Sequence, residues 1–329
     1  MPMASTPRSA TPLPPVPLIT VDEARMLGLR VHTAAFHRVR PGIHIARSVW
    51  DSLAGWQRYE VRVRAFVLAH PDAVLCLESA AAVHGLPLFG QARDIHVYDR
   101  ERAASRRFGD VAVHTSEDVR EVQSVDGIAT TSVLDTVVDL ARVLPPAYAL
   151  AVADASVSPA WAGGSLDVDA LRARASEQRM RRGRARLELL WPVIDARSES
   201  PGESVSRAVI LWSGFEEPEL QREFRYEGVR DRVDFHFPSV RAIGESDGWG
   251  KYGLDDAALA QQRLRDEKRR EDRLRRHGHS FARWDYADAL RVEPLRLALV
   301  RAGVPVVRRP RPALLATLRG NPRSLPAGQ

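Results

Sequence analysis

The chain has 329 residues, enough for two or three domains with their own cores, and its 44% hydrophobic and 27% charged residues are those of a globular protein rather than a disordered one. No apolar run approaches the roughly twenty residues of a membrane span, and the single cysteine, Cys76, excludes an internal disulfide and a thiolate zinc site and suits a reducing cytoplasm. A net charge of +6 allows a nucleic-acid partner without requiring one.

Residues 1–17 are rich in Pro and lack the basic-then-apolar order of a secretory signal, so they are expected to form a disordered leader. Next, Thr20-Val21-Asp22-Glu23 sets a threonine hydroxyl at a helix N-cap and a glutamate three residues on, a capping box that starts a short helix. From His37 to Ile45 the chain alternates around Pro41-Gly42 as a basic hairpin; helix plus hairpin predict a small winged-helix-like module over 18–55. Arg38 and Arg40 on that wing are candidate nucleic-acid contacts. Residues 56–195 read as a mixed α/β region. Its elements are a helix over 55–68, a strand over 73–77, a small-residue helix opened by Ser79 and closed by Gly85, and strands over 94–98 and 111–115. A helix that Thr130-Thr131-Ser132 opens and Pro145-Pro146 ends comes next. The basic run 177–186 falls in a region expected to be mostly helical; it has the charge to touch phosphates, although such a run is usually a solvated face. Residues 195–199 are polar and are expected to link the two halves.

The basic wing, then Ser79-Ala80-Ala81-Ala82-Val83-His84-Gly85-Leu86, then the stretch from Asp126 to Ala141 around Thr130-Thr131-Ser132-Val133-Leu134-Asp135, resemble AbiEi-family antitoxins across residues 18–195. That resemblance implies a transcriptional repressor of a type IV toxin–antitoxin operon, with operator DNA and a cognate toxin as partners. The helical part before the wing is shorter here than in that family.

The last third carries the chemistry. Ser200-Pro201-Gly202-Glu203 opens a helix with Ser at the N-cap and Pro at the first helical position. Strands are expected over 220–225, 230–237 and 241–247, then a charged helix over 255–276, a strand over 279–284 and a closing helix over 287–302. Four residues separate Phe237 from Ala242, a common hairpin loop length. If these two pair, Asp234 faces Glu245 and Arg232 faces Asp247, while Val233, Phe235 and Phe237 share the opposite, inward face. Carboxylates directly opposite one another, with Cβ atoms about 5 Å apart, repel. A divalent cation held by oxygen ligands, Mg2+ or Mn2+, is the natural compensation, which makes Asp234, Glu245 and Asp247 the candidate metal ligands. Glu203 is either a further carboxylate of this site or only the partner in its own capping box. All but two of the 48 basic residues are arginine. The two lysines, Lys251 and Lys268, both fall in this segment, as candidates to orient the attacking water and offset charge developing on phosphate.

The ordered set Arg232-Val233-Asp234-Phe235, Gly244-Glu245-Ser246-Asp247-Gly248-Trp249-Gly250-Lys251-Tyr252, Glu267-Lys268-Arg269-Arg270-Glu271-Asp272 and Arg283-Trp284 resembles the very-short-patch-repair endonucleases. The order αβββαβ is that of the PD-(D/E)XK, restriction-endonuclease-like core, and the likeness spans residues 198–307. It implies metal-dependent phosphodiester hydrolysis. The third strand reads Glu-x-Asp where that family usually has Glu-x-Lys, so a lysine must come from elsewhere or Asp247 must be a ligand. Arg269 and Arg270 would track a nucleic-acid backbone and Trp249 would stack on bases, unless the helix that carries the arginines is simply exposed and salt-bridged. Residues 308–329, rich in Arg and Pro, are expected to form a flexible tail. The expectation is therefore a cytoplasmic, multidomain α+β and α/β protein with no membrane partner, acting as a Mg2+-dependent DNA endonuclease in a defence or toxin–antitoxin setting. The alternative is a non-catalytic AbiEi-type DNA-binding regulator that keeps the nuclease fold as a scaffold.

Overall fold

The computed structural model describes residues 17–161, 165–247 and 257–326, so the leader, Trp249 and Lys251 lie outside the described residues. The chain is a mixed α/β protein of two compact units: the first holds the described residues up to Leu144, Ala155–Ile194 and those from Asn321 on; the second holds Pro145–Asp154 and Asp195–Gly320. Among the described residues, no helix is long and apolar enough to cross a membrane.

The first unit opens with β1 (Ile19–Thr20) and α1 (Val21–Met26). The Thr20 hydroxyl accepts from the Glu23 amide at 3.2 Å and the Glu23 carboxylate accepts from the Thr20 amide at 2.8 Å, which closes the expected capping box. β2 (Phe36–Arg40) and β3 (Ile43–Ala46) form the basic hairpin, and β3 also pairs with β1. A bulge between Arg38 and Arg40 breaks their two-residue alternation. Arg38 stays exposed. Arg40 turns inward, over the Phe66 ring at 5.0 Å and onto Asp110 at 2.9 Å, so it is a packing residue and not the phosphate contact expected.

Next come α2 (Arg47–Ser52), α3 (Gly55–Ala69), β4 (Val74–Leu75), α4 (Leu77–His84), β5 (Ile95–Tyr98), β6 (Arg106–Phe108), β7 (Val111–His114), β8 (Val122–Val125), β9 (Ile128–Thr131) and α5 (Val133–Val143). They give a six-stranded sheet in the order β6-β7-β5-β4-β9-β8. The strand expected over 73–77 is cut short because α4 already starts at Leu77, capped at Cys76 rather than Ser79. Ser79 is committed inside: its hydroxyl accepts from the His96 amide at 2.8 Å and meets the buried Tyr59 hydroxyl at 2.8 Å. Pro145-Pro146 ends α5 but also begins α6 (Pro146–Val157), since proline is tolerated where the first amides of a helix have no partner. The basic run 177–186 is largely the loop between α7 (Val168–Glu177) and α8 (Arg184–Leu190), and not helix.

In the second unit the order αβββαβ appears as α9 (Pro201–Trp212), β10 (Glu219–Tyr226), β11 (Val229–Phe237), β12 (Ala242–Asp247), α10 (Ala257–Arg276) and β13 (Ser280–Asp285). The sheet runs β10-β11-β12-β13, antiparallel except for β12 and β13, which α10 joins as a parallel crossover. The closing helix splits into α11 (Tyr286–Arg291) and α12 (Glu293–Arg301) at Val292, which takes φ +68 one residue before the Glu293-Pro294 start. Arg207 on α9 donates to both oxygens of the buried Asp154 on α6, at 2.8 and 2.7 Å. Beyond it lies α13 (Pro312–Ala316), and the residues from Asn321 belong to the first unit, where Arg323 grips the buried Glu78 carboxylate with two nitrogens. The expected flexible tail is thus pinned by an ion pair and by Asn321, whose amide donates to the Phe89 carbonyl at 3.2 Å.

Phe237 pairs with Ala242, the register expected from loop length. The ladder stops at Phe235–Gly244, however, and the even alternation expected along β11 breaks at Asp234. Asp231 binds Arg273 of α10 and Val233 packs with Leu274 of α10, whereas Phe235 packs on Trp284, whose indole donates to Ser206 of α9. Val233 and Phe235 therefore serve opposite faces, and the strand changes face across Asp234. On β10, Gln221 stands at the matching break, with φ +52 and no partner in the ladder. Gly244 lies under the Trp284 ring: a Cβ there would sit 2.6 Å from the indole and 3.1 Å from the Phe235 Cβ. Gly244→Ala is expected to cost about 1–3 kcal/mol by overpacking, measured by urea denaturation; an unchanged midpoint would refute this account of the glycine.

Candidate active site

The break in β11 builds the site. Where Asp234 leaves the ladder its Oδ2 accepts from the Ser246 amide at 3.0 Å, taking the place of a backbone partner from β12. Two further carboxylates feel its charge. Glu203 arrives from the first turn of α9, where Ser200 caps the helix: the Glu203 amide donates to the Ser200 hydroxyl at 3.1 Å. The Glu203 side chain accepts in turn from the Ser200 hydroxyl at 2.9 Å, the Glu199 amide at 3.0 Å and the Gln221 amide group at 3.0 Å. Glu245 arrives from β12 and is buried. Burial first, and the Asp234 charge second, push both Glu203 and Glu245 up to about 7. Ser200 is the helix cap, and the Glu203 carboxylate accepts from the Ser200 hydroxyl and the Glu199 amide rather than the Ser200 amide, so the expected capping box is not closed.

The cations come from α10 and β13. Arg270 Nη2 lies 3.0 Å from Glu245 Oε1, yet off the hydrogen-bonding direction, so that buried oxygen has charge compensation and no hydrogen bond. Arg270 also donates to the Arg232 carbonyl at 2.8 Å. Arg283, the neighbour of Glu245 on β13, reaches Glu267 at 3.0 Å, Glu271 at 3.2 Å and Asp247 at 3.6 Å. Both arginines oppose the rise in the Glu245 pKa.

Several expected placements change. Asp247 does not face Arg232; it is half-exposed and engages Arg283, while Arg232 pairs with Glu199 at 2.7 Å. The cause is the end of the β11–β12 ladder at Gly244, beyond which the assumed pairing no longer operates. Lys268 is exposed, because among the described side chains of α10 the half-buried and buried positions are Glu267, Arg270, Glu271, Arg273 and Leu274, and position 268 falls on the outer side of that stripe. Arg269 is likewise exposed, 3.6 Å from Asp266. Arg270, expected to meet a nucleic-acid backbone, is instead the cation at Glu245. Sequence reasoning missed Gln221 and the role of Arg283; the first sits in a strand that gives no hint of its left-handed backbone. Among the described residues, no three His, Cys, Asp or Glu side chains stand as a group that could hold a metal ion.

No family model matches the chain, and no solved structure matches it. It is similar to uncharacterized protein MT2308 of Mycobacterium tuberculosis strain CDC 1551 and to uncharacterized protein Rv2248 of strain H37Rv. Each is 33% identical over 222 residues, which cover 67% of this chain and 77% of the relative.

Proposed function

The chain belongs to the family of the mycobacterial proteins MT2308 and Rv2248, and from that premise we propose that its second unit is a PD-(D/E)XK-type nuclease core, akin to very-short-patch-repair endonucleases, that hydrolyses DNA phosphodiesters in the cytoplasm. The observation that carries this reading is the gathering of Asp234, Glu203 and Glu245 at a break in the sheet, faced by Arg270. Two acids held protonated up to about pH 7, by burial first and by the Asp234 charge second, are what a hard cation would relieve, and the buried Glu245 oxygen without a hydrogen bond offers it a lone pair. Asp234 and Glu245 would be its protein ligands, because Mg2+ commonly takes one or two carboxylates and completes its shell with water and substrate phosphate. Asp247, engaged with Arg283, drops out of the ligand set. Bound there, Mg2+ or Mn2+ supplies Lewis acidity to the phosphoryl oxygen and lowers the pKa of the attacking water.

The chain's own residues do the rest. Arg270, which α10 brings to 3.0 Å from Glu245, would take over from the missing strand lysine and offset charge that develops on the phosphate. Glu203, held by three donors, keeps Gln221 and the bent segment of β10 against α9. The resemblance of the first unit to AbiEi-type antitoxins adds operator DNA and a toxin as proposed partners.

One observation favours a second reading. Arg270 lies 3.0 Å from Glu245, so the chain itself brings a cation to that carboxylate, as a non-catalytic DNA-binding regulator would require. Supercoiled plasmid incubated with the protein in Mg2+, Mn2+ or EDTA, beside Asp234→Ala, separates the two. Nicking that needs a metal and Asp234 supports the nuclease; intact plasmid under both metals leaves the regulator.

A further inference from the structure

The loop between α7 and α8, with the first residue of α8, carries Arg179, Arg181, Arg182 and Arg184, four arginines within six residues, all exposed. Its neighbours spend their charge locally: Arg172 on Asp169 at 3.1 Å and Arg174 on Asp135 at 2.7 Å. Among the described residues, the four loop arginines enter no such ion pair.

Beneath them the backbone is fastened from inside. Asp118 accepts the Arg179 amide at 2.8 Å and the Met180 amide at 3.0 Å. Arg142, 4% exposed, donates to the carbonyls of Met180, Arg182 and Ala175 at 3.2, 3.0 and 3.0 Å and to the Gln178 side chain at 3.1 Å. Gly183 takes φ +78, and a Cβ there would lie 2.8 Å from the Arg142 carbonyl oxygen. A buried arginine and an aspartate thus hold a surface loop in one shape while leaving its own charges unspent. Four like charges crowded on a fixed backbone repel one another, and that cost stands unless an anion relieves it.

We propose that this loop is a binding surface for the phosphate backbone of a nucleic acid. Guanidinium forks match phosphate oxygens bidentately, and a continuous polyanion meets all four charges at once. The fixed backbone lowers the entropy lost on contact. An acidic peptide carries carboxylates that the same fork can grip, but not at the regular spacing of a continuous charged backbone. The inference goes beyond the carboxylate site and does not depend on it.

The test is fluorescence anisotropy of the full chain with a labelled 20-bp DNA duplex, and with an RNA duplex of the same sequence, in EDTA across a salt series. Replacing the four arginines together by Ala should weaken binding at least about tenfold at low salt and lower the slope of log K against log salt by up to about 3.6, since each phosphate contact contributes about 0.9. Replacing the four by Lys should keep most of the slope, which guards against a folding artefact. Gly183→Ala keeps every charge yet displaces the loop, and should weaken binding several-fold with the slope nearly intact. Loss with DNA alone, or with RNA alone, identifies the backbone recognised and supports the proposal. A wild-type slope in the Ala variant, or a stronger effect on a polyglutamate competitor than on either duplex, overturns it. Since EDTA removes cleavage, a protein that nicks plasmid but ignores these substitutions sinks this proposal alone, and one that binds through the loop but never nicks sinks the nuclease reading alone.

Discussion

Glu245→Gln should remove metal-dependent cleavage, by at least about 10²–10³-fold, and yet make the metal-free protein more stable at pH 8 by up to about 3 kcal/mol. The first half follows from the loss of one of two proposed carboxylate ligands. The second follows from the pKa. A carboxyl whose pKa is raised on folding keeps, in the folded state, a proton that the unfolded chain gives up. Stability therefore falls as pH climbs from the ordinary 4.5 to about 7, and is flat above that. At pH 8 the folded wild type bears a buried charge beside Asp234, whereas glutamine bears none. Near pH 4 both states of the wild type hold the proton, so the advantage of glutamine should vanish there.

Asp234→Asn is the companion case. It removes the charge that raises Glu203 and Glu245, and its amide oxygen can still accept from the Ser246 N–H. The expected gain at pH 8 is smaller, about 1 kcal/mol, because burial, and not Asp234, is the larger cause of both shifts. Urea denaturation in EDTA at pH 4 and pH 8, with plasmid nicking in parallel, reads both halves. A Glu245→Gln protein that is less stable than wild type at pH 8 would contradict the electrostatic picture whatever its activity.

What the sequence could reveal here was what is local. The capping box at Thr20, the Ser200 cap of α9, the turn at Pro41-Gly42 and the Phe237–Ala242 pairing each depend on a few consecutive residues, and each appears. The acidic residues of the site were visible by type and spacing. Their arrangement was not, because it depends on two breaks that leave no mark in the sequence: the loss of ladder pairing at Asp234 and the left-handed Gln221 opposite. Strict alternation put Val233 and Phe235 on one face and Arg232 against Asp247; tertiary packing on α9 and α10 overrode it. The same applies to Arg40, turned by a bulge, and to Arg323, whose partner Glu78 lies 245 residues away. The basic run 177–186 falls in a region expected to be mostly helical; the carbonyls that Arg142 collects hold its middle as a loop instead.

The missing strand lysine leads to the last expected result. Arg270→Ala should lower cleavage by about 10²-fold, Arg270→Lys by much less, and Lys268→Ala scarcely at all. Glu267, Arg270, Glu271, Arg273 and Leu274 form the stripe of α10 turned to the sheet, and Lys268 lies outside it. A lysine there can reach the reacting centre only if α10 rotates, which would expose Leu274, now packed on Val233 and Ile243. Arg270 already stands 3.0 Å from Glu245 and needs no such movement. Its removal has a second consequence that a purely structural role would not produce. The cation and the guanidinium compete for one carboxylate, so Arg270→Ala should lower the Tm in EDTA but enlarge the rise in Tm on adding Mg2+. Thermal melts in EDTA and in Mg2+ supply the comparison. An Mg2+-induced rise that shrinks in the alanine variant, or a Lys268→Ala protein as inactive as Arg270→Ala, would move the catalytic cation away from position 270.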